Sequence, residues 1–135
     1  MSYPLLDIEG IGPAYAAKLE PCGIKTTKAL LETCADPEGR RRVSEESGIS
    51  EHLLLKWTNL ADLMRIRGVG RQYAELLEAA GVDTIKELRR RRPEHLTAKM
   101  AEANVVRKLT RRIPVPSMIE EWIEEAAKLP PAITY

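Results

Sequence analysis

A chain of 135 residues with 44% hydrophobic and 30% charged side chains has the composition of a folded protein, one compact unit or two small ones sharing a core, and not of a disordered polymer. Phe is absent and only two Trp and four Tyr are present, so the core has to be built from Leu, Ile, Val and Ala. No apolar run approaches the roughly 20 residues that cross a bilayer, and no basic segment followed by a hydrophobic stretch opens the chain; the expectation is a soluble, cytoplasmic protein without a membrane partner. The net charge of +1 is unevenly spread. Residues 1–64 carry 7 basic and 10 acidic side chains, residues 65–112 carry 13 and 6, and residues 113–135 carry 1 and 4. The positive surplus of the middle segment is a field that attracts an anion.

Leu5 to Ile8 reads as a short lead-in ending at the turn Glu9-Gly10-Ile11-Gly12. Pro13 suits the first helical position, where its missing N–H costs nothing. Tyr15, Ala16 and Leu19 then lie on one helical face, and Gly23 closes the helix in the left-handed conformation. Thr26 caps a short helix that buries Ala29, Leu30 and Leu31. Asp36-Pro37-Glu38-Gly39 opens a charged helix through Arg40, Arg41 and Arg42 that Gly48 ends. Ser50 caps a longer helix from Glu51 to Met64 with Leu53, Leu54, Trp57, Leu60, Ala61 and Met64 at helical spacing.

The stretch Ile66-Arg67-Gly68-Val69-Gly70-Arg71 repeats Ile8-Glu9-Gly10-Ile11-Gly12-Pro13 at a displacement of 58 positions. In the same register Tyr15 matches Tyr73, Ala16 matches Ala74, Leu19 matches Leu77, Gly23 matches Gly81, Ile24 matches Val82, Thr26 matches Thr84 and Leu30 matches Leu88. Chance does not align so many residues, so the chain is a duplicated helical module. The second copy runs as a helix Gln72–Ala80, a capping box of Thr84 and Glu87 before a helix burying Ile85 and Leu88, and a helix Glu94–Ala103. Val105, Val106 and Leu109 extend or restart that helix, with Arg107, Lys108, Arg111 and Arg112 outside. A last helix, Ser117–Leu129, places Trp122 opposite Trp57 if a few residues were inserted before it, and Pro130–Tyr135 is a tail.

The two turns look like helix-hairpin-helix motifs, apolar-x-Gly-apolar-Gly followed by a helix with Ala on its inner face, as in many DNA repair, replication and recombination proteins. More closely, Leu-Lys-Trp-x-Asn-Leu-Ala-Asp-Leu-Met-Arg-Ile-x-Gly-Val-Gly-x-x-Tyr-Ala within Ser50–Leu88 resembles a bacterial family catalogued as a domain of unknown function, over nearly the whole chain. The resemblance implies an all-α fold of two tandem helix-hairpin-helix modules, 1–64 and 65–135, each with extra flanking helices, fused into one compact unit. It implies no assigned activity. DNA binding enters only through the wider superfamily.

A Gly-x-Gly turn at a helix start directs backbone N–H groups and the positive end of the helix dipole outward, where a phosphate fits. The expected nucleic-acid contacts are Arg67, Gly68, Val69, Gly70, Arg71 and Gln72, with Arg89 and Arg90 from the run Arg89–Arg92 as electrostatic support. Such contacts position a strand and read no bases. Glu9, Asp7 and Pro13 weigh against the first turn. Replacing Gly70 by a β-branched residue is expected to damage the fold. The alternative reading is a protein-interaction adaptor or self-associating scaffold pairing acidic and basic segments of neighbouring copies.

Cys22 and Cys34 read as free thiols, and His52 and His95 have no neighbours at metal-ligand spacing. No nucleophile triad or Walker lysine can be assembled. The expectation is therefore a non-enzyme with no cofactor, no metal and no small-molecule substrate.

Overall fold

The computed structural model describes residues 2–135, and among them all regular structure is helical. The elements are α1 (Pro13–Leu19), α2 (Thr27–Thr33), α3 (Pro37–Ser47), α4 (Glu51–Leu63), α5 (Arg71–Ala79), α6 (Ile85–Leu88), α7 (Pro93–Arg107) and α8 (Pro116–Lys128), with 3-10 turns at Leu5–Asp7 and Glu20–Cys22. Capping follows the local chemistry. Thr26, Asp36 and Ser50 accept N–H bonds from Ala29, Gly39 and Leu53 at 3.1, 2.6 and 3.2 Å. The Thr84 hydroxyl accepts from Glu87 N–H at 3.4 Å, while the Glu87 carboxylate turns to Arg91 at 3.7 Å, so only one arm of the expected capping box is bonded.

The halves match element by element. In the first, α1 packs on α3, and α2 and α3 pack on α4; in the second, α5 packs on α7, and α6 and α7 pack on α8. One long helix closes each half, carrying a buried tryptophan: Trp57 meets Tyr15 with ring centroids 4.9 Å apart, and Trp122 meets Tyr73 at 5.4 Å. Contact between α4 and α5 joins the halves, and one apolar core runs through both.

The leading residue of each small helix needs a partner for its N–H, and the halves supply it differently. Thr27 N–H donates to the Tyr3 carbonyl at 2.8 Å, whereas Ile85 N–H donates to the carboxylate of buried Asp62 at 2.9 Å. Asp62 also accepts from Arg65 at 3.0 Å, so α4 is tied to the second half through a charge-assisted bond.

Two expectations change. Val105 and Val106 are not on a packed face: α7 runs unbroken to Arg107 and leaves them 76% and 80% exposed. Pro130–Tyr135 is not a free tail. Thr134 N–H donates to the Ala35 carbonyl at 2.8 Å, and Arg65 donates to the Pro130 carbonyl at 3.1 Å. Arg40 is buried on α3 and donates to the carbonyls of Cys34, Ala35 and Thr134 at 2.9, 3.2 and 2.8 Å. A guanidinium has five donors in a fixed fork, which is why one residue can close both an interhelical turn and a chain terminus. Burial pushes the neighbouring Cys34 thiol up to about 11, against the opposing charge of Arg40, so this cysteine stays protonated and unreactive.

Arg40→Met should cost about 3 kcal/mol, because buried carbonyls lose charge-assisted partners. Urea unfolding measures the loss, and limited proteolysis should release the C-terminal residues first. Lys108, the one non-glycine residue with positive φ (51°) among those described, should behave oppositely: Lys108→Gly should raise stability by up to about 1 kcal/mol.

Candidate nucleic-acid interface

Each glycine turn uses its two glycines for different purposes. Gly10 and Gly68 have φ of 95° and 90°, the left-handed region that favours glycine. A Cβ at Gly10 would also crowd Trp57 Nε1 at 3.1 Å, whereas one at Gly68 would make an ordinary contact with Trp122 Nε1 at 3.5 Å. Backbone and packing together demand glycine in the first turn, and the backbone demands it in the second. Gly12 and Gly70 are extended, with φ of −95° in both, and a Cβ built at either meets nothing within 4 Å. Neither the backbone nor the interior requires glycine there. The expectation that a β-branched residue at Gly70 damages the fold is thereby overturned, since extended backbone in open space accepts one.

The turns stand side by side. Arg71, the first residue of α5, places its Nε 2.6 Å from a Glu9 carboxylate oxygen, and its Nη1 reaches the Leu6 carbonyl at 3.5 Å. Both partners are about half exposed, so this ion pair is worth well under about 1 kcal/mol. It joins the acidic first turn to the basic second one.

The donors of the second turn divide into spent and open. Val69 is buried and its N–H donates to the Ile66 carbonyl at 3.1 Å, as Ile11 N–H does to Ile8 in the first turn. Arg67 N–H faces both carboxylate oxygens of Glu125 on α8, at 3.2 and 3.3 Å. Gly70 caps α5 without a side chain, so the N–H groups of Arg71, Gln72 and Tyr73 have no carbonyl one turn back and point out of the helix start. Arg67, Arg71 and Gln72 have exposed side chains around them. An anion here meets a dipole end, open donors and two guanidinium groups.

Arg89 and Arg90 lie elsewhere. They end α6, and their neighbour Arg91 donates to the Gly81 carbonyl at 2.9 Å, just past the C-terminus of α5. Nine residues of helix, about 13 Å, separate that end from the second turn. Arg67, Gly68, Gly70, Arg71 and Gln72 are thus gathered at one place, and Arg89 and Arg90 at another.

One cation outside the sequence-derived site is held against α5. Arg107 donates to Glu75 at 3.2 Å, and Glu75 follows Arg71 by four residues on α5, one turn along the same face. The C-terminal end of α7 is thereby tied to the middle of α5, and Lys108, Arg111 and Arg112 follow it in the chain. The signal was in the sequence: the repeat offset changes from 58 at the turns to 65 between the tryptophans, so residues were added between them. Among the described residues no group of three or more His, Cys, Asp or Glu is placed to hold a metal, and no helix is long and apolar enough to cross a membrane.

At the far side of α5, burial and then the neighbouring charge of Glu75 raise the Glu78 carboxyl above its ordinary value of 4.5, and Lys56 at 3.8 Å offsets part of this. A carboxyl that holds its proton more tightly when folded costs stability once ionised, so this cost appears as pH rises past the ordinary carboxylate range. Glu78→Gln should therefore be more stable than the native chain at pH 7, with the difference vanishing below about pH 4 in urea titrations.

No curated protein and no solved structure matches the chain. A family model matches residues 9–129, nearly the whole length, and the chain belongs to that family, described as "Domain of unknown function (DUF4332)".

Proposed function

We propose that the chain is a pair of tandem helix-hairpin-helix modules, residues 1–64 and 65–135, that binds the phosphate backbone of DNA without reading its sequence. The N-terminus of α5 is the contact. The observation that carries this reading is Gly70: a glycine that neither its φ nor its packing requires, at the start of a helix with open donors, keeps the approach to the backbone clear. Arg67, Arg71 and Gln72 surround it, in the segment of the chain with the positive surplus. Gly68 holds the turn, and Val69 anchors it in the core.

Two carboxylates stand where the phosphate would go. Glu9 holds Arg71 and Glu125 faces Arg67 N–H, so a bound strand displaces both from their partners. Each carries one charge on a flexible side chain, whereas a strand presents successive phosphates and releases counterions.

Fluorescence anisotropy of labelled single- and double-stranded oligonucleotides at several salt concentrations tests the reading. The native protein should bind with affinity that falls as salt rises. Arg67→Ala with Arg71→Ala should abolish most of it while shifting stability by less than about 1 kcal/mol. Gly70→Thr supplies a good cap in an extended backbone, so it should keep the fold and lose binding by obstruction. Glu9→Gln and Glu125→Gln should bind more tightly than the native chain. A folded native protein that fails to bind at low salt overturns the proposal; mass that grows with concentration at low salt would then point to the self-associating scaffold.

A further inference from the structure

The two tryptophan helices differ in what covers them. Trp57 on α4 and Trp122 on α8 stand 65 positions apart, and at that offset Leu55, Lys56 and Asn59 correspond to Glu120, Glu121 and Glu124. On α4 these side chains are half-buried in a groove shared with Glu78 and Asp83, and Lys56 reaches Glu78 of α5 at 3.8 Å. On α8 the three glutamates are exposed, and no helix follows to cover them among the described residues. None of them has a cation within 4 Å there. The face by which α4 meets the next module is therefore bare on α8, and it is acidic.

Immediately before α8 the surface has the opposite sign. Lys108, Arg111 and Arg112, in the loop 108–115, are exposed and have no acidic side chain within 4 Å among the described residues. Val105, Val106 and Val115 beside them are 76%, 80% and 54% exposed. The loop is held in one shape. Leu109 and Ile113 pack against the core, and the Asn104 side chain accepts from Leu109 and Thr110 N–H at 2.8 and 3.1 Å and donates to the Thr110 carbonyl at 2.8 Å. The Thr110 hydroxyl donates to the Arg112 carbonyl and accepts from its N–H, at 3.1 and 3.3 Å. Such bonds oppose a folding back of the loop onto the glutamates of its own α8.

A cationic patch followed by an anionic one along a single helix does not neutralise itself, but it is complementary to a copy of itself turned about a twofold axis. Two α8 helices approaching antiparallel lay the loop of each against the glutamates of the other. Ser117, small and exposed on the outer face between the two patches, lets them come close, and Val115 adds apolar area near the crossing. We infer that the loop between α7 and α8 and the outer face of α8 together form a twofold interface with a second copy of this chain, in which Arg111 and Arg112 of each meet Glu120, Glu121 and Glu124 of the other. Every contact in such an interface occurs twice, so a small patch of pairs has a doubled effect. The interface is independent of the nucleic-acid reading, since Arg67, Gly70 and Arg71 take no part in it.

Sedimentation equilibrium of the full chain tests this. At low salt the mass should rise with concentration and level off at twice that of one chain, and added salt should shift it back toward one. Arg111→Glu with Arg112→Glu, and separately Glu121→Lys with Glu124→Lys, change exposed side chains that bond to nothing, so both variants should keep the native circular dichroism. Each alone sets like charges against like and should weaken pairing by more than about tenfold. Mixed in equal amounts, they should pair again, because each loop then meets an α8 of opposite sign. A native chain that stays single at every concentration, a mass that grows past two copies, or a mixture that fails to pair overturns the inference. So does a single native chain that binds anionic vesicles through Arg111 and Arg112, which would assign the loop to lipid. Arg67→Ala with Arg71→Ala should pair as the native chain does, whatever the outcome with oligonucleotides.

Discussion

Everything in this structure depends on an indole lying against a left-handed glycine. Gly10 lies so close under Trp57 that a Cβ would crowd the ring, Gly68 faces Trp122 with room for an ordinary contact, and the positive φ that glycine adopts freely turns the chain from an apolar lead-in into a helix start. The tryptophan comes from the last long helix of the same half, roughly fifty residues away in sequence, so one contact fixes the turn and closes the half around it. Tyrosines one helical turn later, Tyr15 and Tyr73, meet the same rings. The indoles thus pack against the turns from inside, while a Cβ at Gly70, at the start of α5, would meet nothing.

Local determinants of this kind explain which parts of the fold were legible in the sequence. The turns, the caps Thr26, Ser50 and Thr84, and the core faces of α1, α4 and α5 are local periodicities and local bonds, and most recur at a fixed offset. What was not legible was settled by long-range satisfaction of polar groups. Nothing in Pro-Pro-Ala-Ile-Thr-Tyr announces that its carbonyls will be met by Arg40 and Arg65, residues 94 and 65 positions earlier. Nor does Asp62, in the middle of an apolar helix face, reveal that it caps a helix in the other half. The valines of α7 misled for the opposite reason. They have the residue type of a core face, but no element is left to cover them.

The candidate site was legible only in part. Residue types and spacing place Gly68, Gly70, Arg71 and Gln72 together because they are contiguous on a turn and a helix start. The run Arg89–Arg92 looked like support for that turn by charge alone, yet α5 separates the two, and Arg91 is engaged in closing the helix end at Gly81. Conversely, Arg107 meets α5 only through its bond to Glu75, across a packing of α5 on α7 that no spacing in the sequence expresses.

The same pair exposes a tension in the electrostatics of the second half. Glu75 is buried, one of its oxygens is held by Arg107 and the other has no hydrogen-bond partner in the described structure. A buried carboxylate with one oxygen orphaned is expensive, and apolar residues would pack there at lower cost. Its contribution is orientation: the pair anchors the end of α7 against α5. Glu9, exposed and paired with Arg71, does something different. It is about half exposed, so breaking the pair costs little. The buried acid thus ties α7 to α5, and the exposed one joins the two turns at little cost.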